Sequence, residues 1–247
     1  RFDFYQRGLP LPDQSLWEPW GGNPAARNFF ATNAQALSPP NSMETDDEDD
    51  AVHPLSGYTG GQWIFTAWSY VPSTTADIQY FILLNQYPTT GSQDWSLQLE
   101  LDGGAGQVRD FDGSASAALV YDAWTEIRVE IALDLDRQHV FYNGQHMLTK
   151  LWSEGVAPGG QLAIEAVDIW ANGAANPMYW DDMSLRTDIR TPCLADLDGD
   201  RMVGFSDLLE ILTGWGMCGA CVEDLDADGN VGFSDLIVVL SSWGACP

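Results

Sequence analysis

Residues 193–246 are one unit written twice. The stretch Cys193-Leu194-Ala195-Asp196-Leu197-Asp198-Gly199-Asp200 returns 28 residues later as Cys221-Val222-Glu223-Asp224-Leu225-Asp226-Ala227-Asp228. Both copies run on through Gly-Phe-Ser-Asp-Leu to a Trp-Gly pair and a closing cysteine. A chain with this ending must fold it as two like halves. In each copy three Asp hold loop positions 1, 3 and 5, and a fourth holds position 12, which is calcium-loop spacing. Carboxylates two apart in a tight loop turn onto one centre. A carboxylate in the first turn of the following helix closes the sphere. The expected ligands are Asp196, Asp198, Asp200 and Asp207 with the carbonyl of Met202, then Asp224, Asp226, Asp228 and Asp235 with the carbonyl of Asn230. Gly204 and Gly232 stand at position 9, where water is expected. An all-oxygen donor set suits a hard cation, so two calcium ions are the expected cofactors. Gly229 occupies the sharp turn at position 6, whereas the first copy has Arg201 there. A left-handed Arg costs roughly 1–2 kcal/mol, so the first loop is expected to be the weaker.

No helix precedes either loop, because Thr191-Pro192 leads into the first and Gly219-Ala220 into the second. The helices that follow are short and apolar on one face, with Ser206 and Ser234 as candidate caps. All four cysteines lie here, at Cys193, Cys218, Cys221 and Cys246. An even, repeat-symmetric set in a small module reads as disulfides, with a four-thiolate zinc site as the rival. The tandem resembles a dockerin, the module that docks onto cohesins in secreted assemblies. That resemblance implies a partner surface at loop positions 10 and 11, which are Phe205-Ser206 and Phe233-Ser234. It also implies antiparallel helices, which would join Cys193 to Cys246 and Cys218 to Cys221. The alternative, Cys193 with Cys218 and Cys221 with Cys246, obeys the same symmetry.

The first 187 residues read as strand after strand. Trp63–Val71, Ile78–Leu84, Trp95–Leu101, Trp124–Ile131, Leu162–Ile169 and Met178–Leu185 are short, and turn residues separate them. Asn143-Gly144 between two apolar runs is a hairpin signal. The fold expected is mainly β, a two-sheet antiparallel sandwich with a small α-helical tail. Gly60-Gly61-Gln62-Trp63, Trp124-Thr125-Glu126-Ile127-Arg128-Val129, Val140-Phe141-Tyr142-Asn143-Gly144 and Tyr179-Trp180-Asp181-Asp182-Met183-Ser184-Leu185 together resemble a concanavalin-like or laminin-G-like jelly roll. The organisation expected is therefore a sandwich over 1–187, a linker at 188–192 and the tail at 193–247. The resemblance further implies a structural calcium held by Asp3 with Asp181 and Asp182.

Lys and Arg number 10 against 36 Asp and Glu, a formal charge of −26. Such a surface repels nucleic acid and anionic membranes, and no apolar run is long enough to span a bilayer. The run Glu44–Asp50 is expected to be a solvated loop. The sequence begins with Arg1 rather than Met, as expected after removal of a signal peptide. Calcium loops with disulfides point to a secreted, extracellular or cell-surface protein.

Concanavalin-like glucanases carry Glu-x-Asp-x-x-Glu, and no such string occurs. Glu126 and Glu130 share a strand face with Arg128 between them, which reads as a balanced sheet surface. Glu165 and Asp168 fall on opposite faces of a regular strand, and His139 and His146 are expected to face each other across the hairpin. Eleven tryptophans raise sugar stacking. Trp63, Trp68, Trp95 and Trp124 read as core, which leaves Trp17, Trp20, Trp152 and Trp170 as a glycan platform. The segment Arg1–Gln6 alternates and is expected to pair with Tyr179–Leu185 or to be donated as a strand to a neighbouring molecule. The functional expectation is a non-catalytic, calcium-binding protein for extracellular assembly or adhesion, such as a surface-layer or fibril subunit. Its partner would be a protein or a second copy, engaged through the tail or the N-terminal strand. The alternative is a lectin-like module for a neutral glycan, and a glycan-active enzyme ranks last.

Overall fold

Alternation of apolar and polar residues turns one face of each strand inward, and two such faces make a core. The computed structural model describes residues 1–88 and 92–247. It is a jelly-roll sandwich of two seven-stranded antiparallel sheets. The first sheet runs in space through Glu18–Pro19, Asp50–Tyr58, Ile164–Trp170, Ile78–Gln86, Asp94–Asp102, Gln107–Asp110 and Ser116–Ala118. The second runs through Gln145–Lys150, Arg137–Tyr142, Trp124–Ala132, Gln62–Tyr70, Ala174–Thr187, Ser42–Asp47 and Phe30–Thr32. Phe81, Leu83, Leu99 and Leu101 from the first meet Phe65, Ile127, Val129 and Val140 from the second. Buried indoles need a partner for the N–H. Trp180 donates to Thr45 Oγ1 at 3.2 Å and Trp152 to the Ala163 carbonyl at 2.9 Å.

The Asn143-Gly144 turn has φ of 51° and 72°, the two positive values a tight hairpin turn demands. A register shift at Val140/Phe141 places His146 opposite Phe141 and His139 opposite Thr149. The two imidazoles still lie 6.1 Å apart and share Thr149 Oγ1, at 2.9 and 3.0 Å.

Two sequence expectations fail here. The run Glu44–Asp50 is no solvated loop, because it carries the chain from the end of Ser42–Asp47 in one sheet to the start of Asp50–Tyr58 in the other. Asp49 is buried at the crossing and accepts the N–H groups of Asn28 and Asp46, at 3.0 and 3.2 Å. The segment Arg1–Gln6 is neither a strand of its own sandwich nor a free strand for a neighbour. Both sides of Ala174–Thr187 are taken, by Ser42–Asp47 and Gln62–Tyr70. The segment instead turns, with Tyr5 N–H on the Phe2 carbonyl, and buries Phe2 in the core.

The tail is two loop–helix units with α1 (Phe205–Thr213) and α2 (Phe233–Ser241). Its core holds Leu197, Val203 and Ile211 together with Leu225, Val231 and Val239, their equivalents 28 residues on. Each half pairs with the far end of the other, Met202–Val203 with Gly244–Ala245 and Gly216–Met217 with Asn230–Val231. Cys193 is bonded to Cys246 and Cys218 to Cys221, so no thiolate remains for zinc. The helix caps are Gly204 and Gly232 rather than Ser206 and Ser234. Their N–H groups donate to Asp207 and Asp235, at 2.6 and 2.7 Å.

The tail rests on the second sheet, with one guanidinium bonded to both of its halves. Arg137 donates from Nη1 to the Leu194 carbonyl and from Nη2 to the Val222 carbonyl, the latter at 2.8 Å. Leu194 and Val222 are repeat equivalents, so Arg137 stands on the local two-fold axis of the duplicated module. Burial pulls its pKa down to about 10, against the pull of Asp196, Glu223 and Glu210 in the tail, and it stays charged at neutral pH. Thr149 Oγ1 adds a bond to the Leu197 carbonyl at 2.6 Å. Gly199, with φ of 72°, lies so near His139 that a Cβ would come within 3.0 Å of the ring. Residues 188–192 are tied as well, with Asp188 N–H on the Gln62 carbonyl at 2.8 Å and Arg190 on Glu130 at 2.6 Å.

Arg137→Met keeps the apolar stem and strips both carbonyls of their donor. Hydrogen bonds to charged groups contribute about 1.5–3 kcal/mol each, so loss of the two should cost the docked tail about 3–6 kcal/mol. Amide exchange should quicken across residues 193–246 and stay unchanged in the sandwich strands. Equal protection in both proteins would place the docking energy elsewhere.

Candidate functional site

The outer face of the first sheet is not a solvated surface. Asp50, Asp168, Trp170, Tyr80, Ile82 and Gln98 project from neighbouring strands, with Trp170 opposite both Asp50 and Tyr80 and with Asp168 opposite Ile82. A register shift around Leu84 brings Trp95 onto the same face. Trp20, from the short turn Trp20–Gly22, folds over it. Trp20 stacks on Trp95 with ring centres 5.9 Å apart and planes within 13°. Tyr80 stacks on Trp170 at 4.8 Å and 20°. The three indoles, with Asp50, Ile82, Gln93, Gln98 and Asp168, line a cleft of about 360 Å³. Tyr87 flanks it, held by Glu18 Oε1 at 2.9 Å and, through its N–H, by Glu165 at 2.7 Å.

Asp168 is only 2% exposed. One carboxyl oxygen of Asp168 and one of Asp50 are buried without any hydrogen-bond partner. Burial raises both pKa values, that of Asp50 to about 6 and that of Asp168 well above the carboxylate range, with the neighbouring Asp50 charge as its second cause. Two such carboxyls resist ionising together and hold one proton between them. Among the described residues lining the cleft there is no Lys or Arg.

The four tryptophans expected to form a platform do not lie together. Trp20 and Trp170 line the cleft, whereas Trp17 and Trp152 are buried in the sandwich core. Trp95, read as core from strand alternation, belongs to the cleft because the register shift turns it outward. Asp50 closes an acidic run and was hidden by it. Asp168 had a legible signal, an Asp inside the apolar strand Ala166-Val167-Asp168-Ile169.

The tail loops gather carboxylates, though not in the full expected sets. Oxygens of Asp196, Asp198 and Asp207 lie within 4.8 Å of one another, as do those of Asp224, Asp226 and Asp228. Asp200 stands outside the first group and Asp235 outside the second. Asp235 accepts the N–H groups of Leu225 and Gly232, both at 2.7 Å, as Asp207 accepts those of Leu197 and Gly204 at 2.7 and 2.6 Å. One oxygen of Asp196 is buried with no partner. Burial, then the charges of Asp207, Asp198 and Asp200, raise its pKa to about 6, a penalty that a cation would remove. Arg201 does adopt the left-handed conformation, with φ of 71°. At the third expected site, Asp3, Asp181 and Asp182 do not bring three ligand atoms within 4.8 Å of one another among the described residues. Asp181 accepts the N–H groups of Leu37, Ser38 and Asp182, and Asp182 takes Ser38 Oγ and Arg1.

No protein-family model and no curated protein matches the chain. Among solved structures it is similar to a sialidase, with a TM-score of 0.46 and 9% identity over 75% of this chain and 19% of that one. It is similar as well to carbohydrate binding module CBM66 from Bacillus subtilis, at 0.42 and 10% over 70% and 96%. A third is alginate lyase AlgAT5 from polysaccharide lyase family 7, at 0.43 and 10% over 65% and 82%. The chain thus spans about a fifth of the sialidase. At these identities and scores none of the three says what this chain binds. One expectation is corrected, that the chain is non-catalytic. Its premise was the want of paired carboxylates, and the structure brings Asp50 and Asp168 together in one cleft. Lack of a glucanase string is therefore no ground for excluding catalysis. Glu126, Arg128 and Glu130 form the balanced surface expected of them, with Arg128 ion-paired to both.

A carboxyl with a raised pKa holds its proton more tightly in the fold than in the unfolded chain. The pair therefore supports the fold at low pH, and that support is lost as pH rises from about 4 through the Asp50 value of about 6 and beyond. Asp168→Asn should flatten the decline in urea midpoint between about pH 4 and pH 7. An unchanged slope would show that the pair does not share a proton.

Proposed function

We propose that the outer face of the first sheet binds a glycan in the cleft of Trp20, Trp95 and Trp170 above Asp50 and Asp168. The observation that carries this reading is two stacked aromatic pairs flanking a pair of carboxyls, each with one oxygen that lacks a hydrogen-bond partner. Indole faces offer apolar area to pyranose rings, and a few fixed polar groups orient the hydroxyls. Unpartnered buried oxygens are costly, and a ligand's donors would satisfy them. Trp170→Ala should weaken glycan binding by about tenfold or more, equal to about 1.4 kcal/mol, when an oligosaccharide panel is titrated by calorimetry. Trp215→Ala, in the tail, should leave that binding unchanged. A panel that binds nothing, or binds both variants alike, would end this reading.

The tail is proposed to hold two calcium ions, one through Asp196, Asp198 and Asp207 and one through Asp224, Asp226 and Asp228. Support comes from the two oxygen clusters and the orphaned Asp196 oxygen. Two disulfides in so small a module fit an extracellular setting, and no helix is long and apolar enough to cross a membrane. A second reading, extracellular assembly, draws on the helices. Phe205, Leu209 and Leu212 on α1 with Trp215 just beyond it, and Phe233, Ile237 and Leu240 on α2 with Trp243 just beyond it, are exposed at matching repeat positions. Chelation should lower the tail's melting temperature by several degrees, since a site at about 100-fold saturation adds about 2.7 kcal/mol. Asp224→Ala should cost more affinity than Asp196→Ala. Sedimentation with and without calcium reads assembly on the same samples, and a monomer in both conditions would remove the second reading.

A further inference from the structure

We infer that the cleft selects a glycan carrying free amines. The inference rests on the glycan-binding reading above and names the class of ligand. Its ground is a pair of carboxyls, each with one oxygen short of a donor, set beside aromatic faces with no cation among the described lining residues. Asp168 is buried and Asp50 half-buried, and each keeps one oxygen without a donor. Neutralising such a pair takes a proton or a positive group from outside, because no Lys or Arg lines the cleft among the described residues. Arg109, on the same sheet, is already engaged by Glu100 and Asp102, at 2.9 and 3.0 Å.

A hydroxyl can donate to one carboxylate and leaves the shared proton where it is. A protonated amine brings three donors and a full charge. It can bond to both carboxylates with charge-assisted hydrogen bonds, while the proton they held passes to water. Trp20, Trp95 and Trp170 add to the preference, since indole faces attract a cation within about 6 Å. The formal charge of −26 works in the same direction at long range and disfavours uronate or sulfated chains. A neutral sugar would use the aromatic faces and leave the carboxyl pair half satisfied.

The test uses the full chain with calcium and three β-1,4 hexasaccharides of like backbone: glucosamine, N-acetylglucosamine and glucose. Titration calorimetry at about 0.15 M salt, where charges beyond about 8 Å are screened, should show the glucosamine oligomer binding at least about tenfold tighter than the other two. Asp168→Asn should erase that margin, and Asp50→Asn serves the same purpose if the first variant misfolds. Equal affinities, or a margin for either uncharged oligomer, would overturn this inference and leave the glycan reading standing. Glucosamine binding that survives unchanged in both carboxyl variants and in Trp170→Ala is attraction by net charge alone, and overturns it as well. Loss of all three ligands from the unaltered protein would overturn the glycan reading itself.

Discussion

Arg137 is the constraint on which the arrangement of the two parts depends. A buried guanidinium is costly to desolvate, and here most of its hydrogen bonding goes to two carbonyls outside its own domain. Those carbonyls, of Leu194 and Val222, precede the two acidic loops by two residues each. One side chain thus fixes both halves of the repeat, and it can do so because the repeat is symmetric about it. Thr149 and the close approach of Gly199 to His139 then set the rotation. The His139–His146 hairpin, unremarkable as a sequence feature, becomes the seat of the first loop.

The same economy governs the cleft. An open sheet face would normally be polar and wet, yet this one carries Val52, Ile82, Leu84 and Ala166 beneath its aromatics. Placing two carboxyls on that apolar floor raises their free energy. Such a face costs the fold stability, which is the ground on which a ligand is proposed for it. Sites of this kind are where local rules are broken at a cost met elsewhere in the fold.

Much of this was legible in the residues. Strand alternation, the Asn143-Gly144 turn and the 28-residue repeat each act locally, so they survive reading without coordinates. Trp95 and the Glu44–Asp50 run were misread for opposite reasons. Register shifts in a strand pair invert which side chain faces out, and periodicity alone does not reveal where they fall. Charge runs are usually solvated, and Asp49 is buried only because the chain crosses between sheets there. The Asp50–Asp168 pair joins residues over a hundred positions apart, a proximity that exists only once the sheet order is known. Arg1–Gln6 looked like a strand, yet both sides of its expected partner, Ala174–Thr187, are taken.

The bridge between Cys193 and Cys246 gives the tail a mechanical property. It joins the point where the chain enters the module to the point where it leaves, across a separation of 53 residues. Tension applied at Pro247 passes through the sulfur atoms to Cys193 and on to the sandwich. The acidic loops and both helices lie on the unloaded branch. Stretching the chain would therefore strain residues 188–192 and the strand Ala174–Thr187 first, while the module hangs beside the line of force.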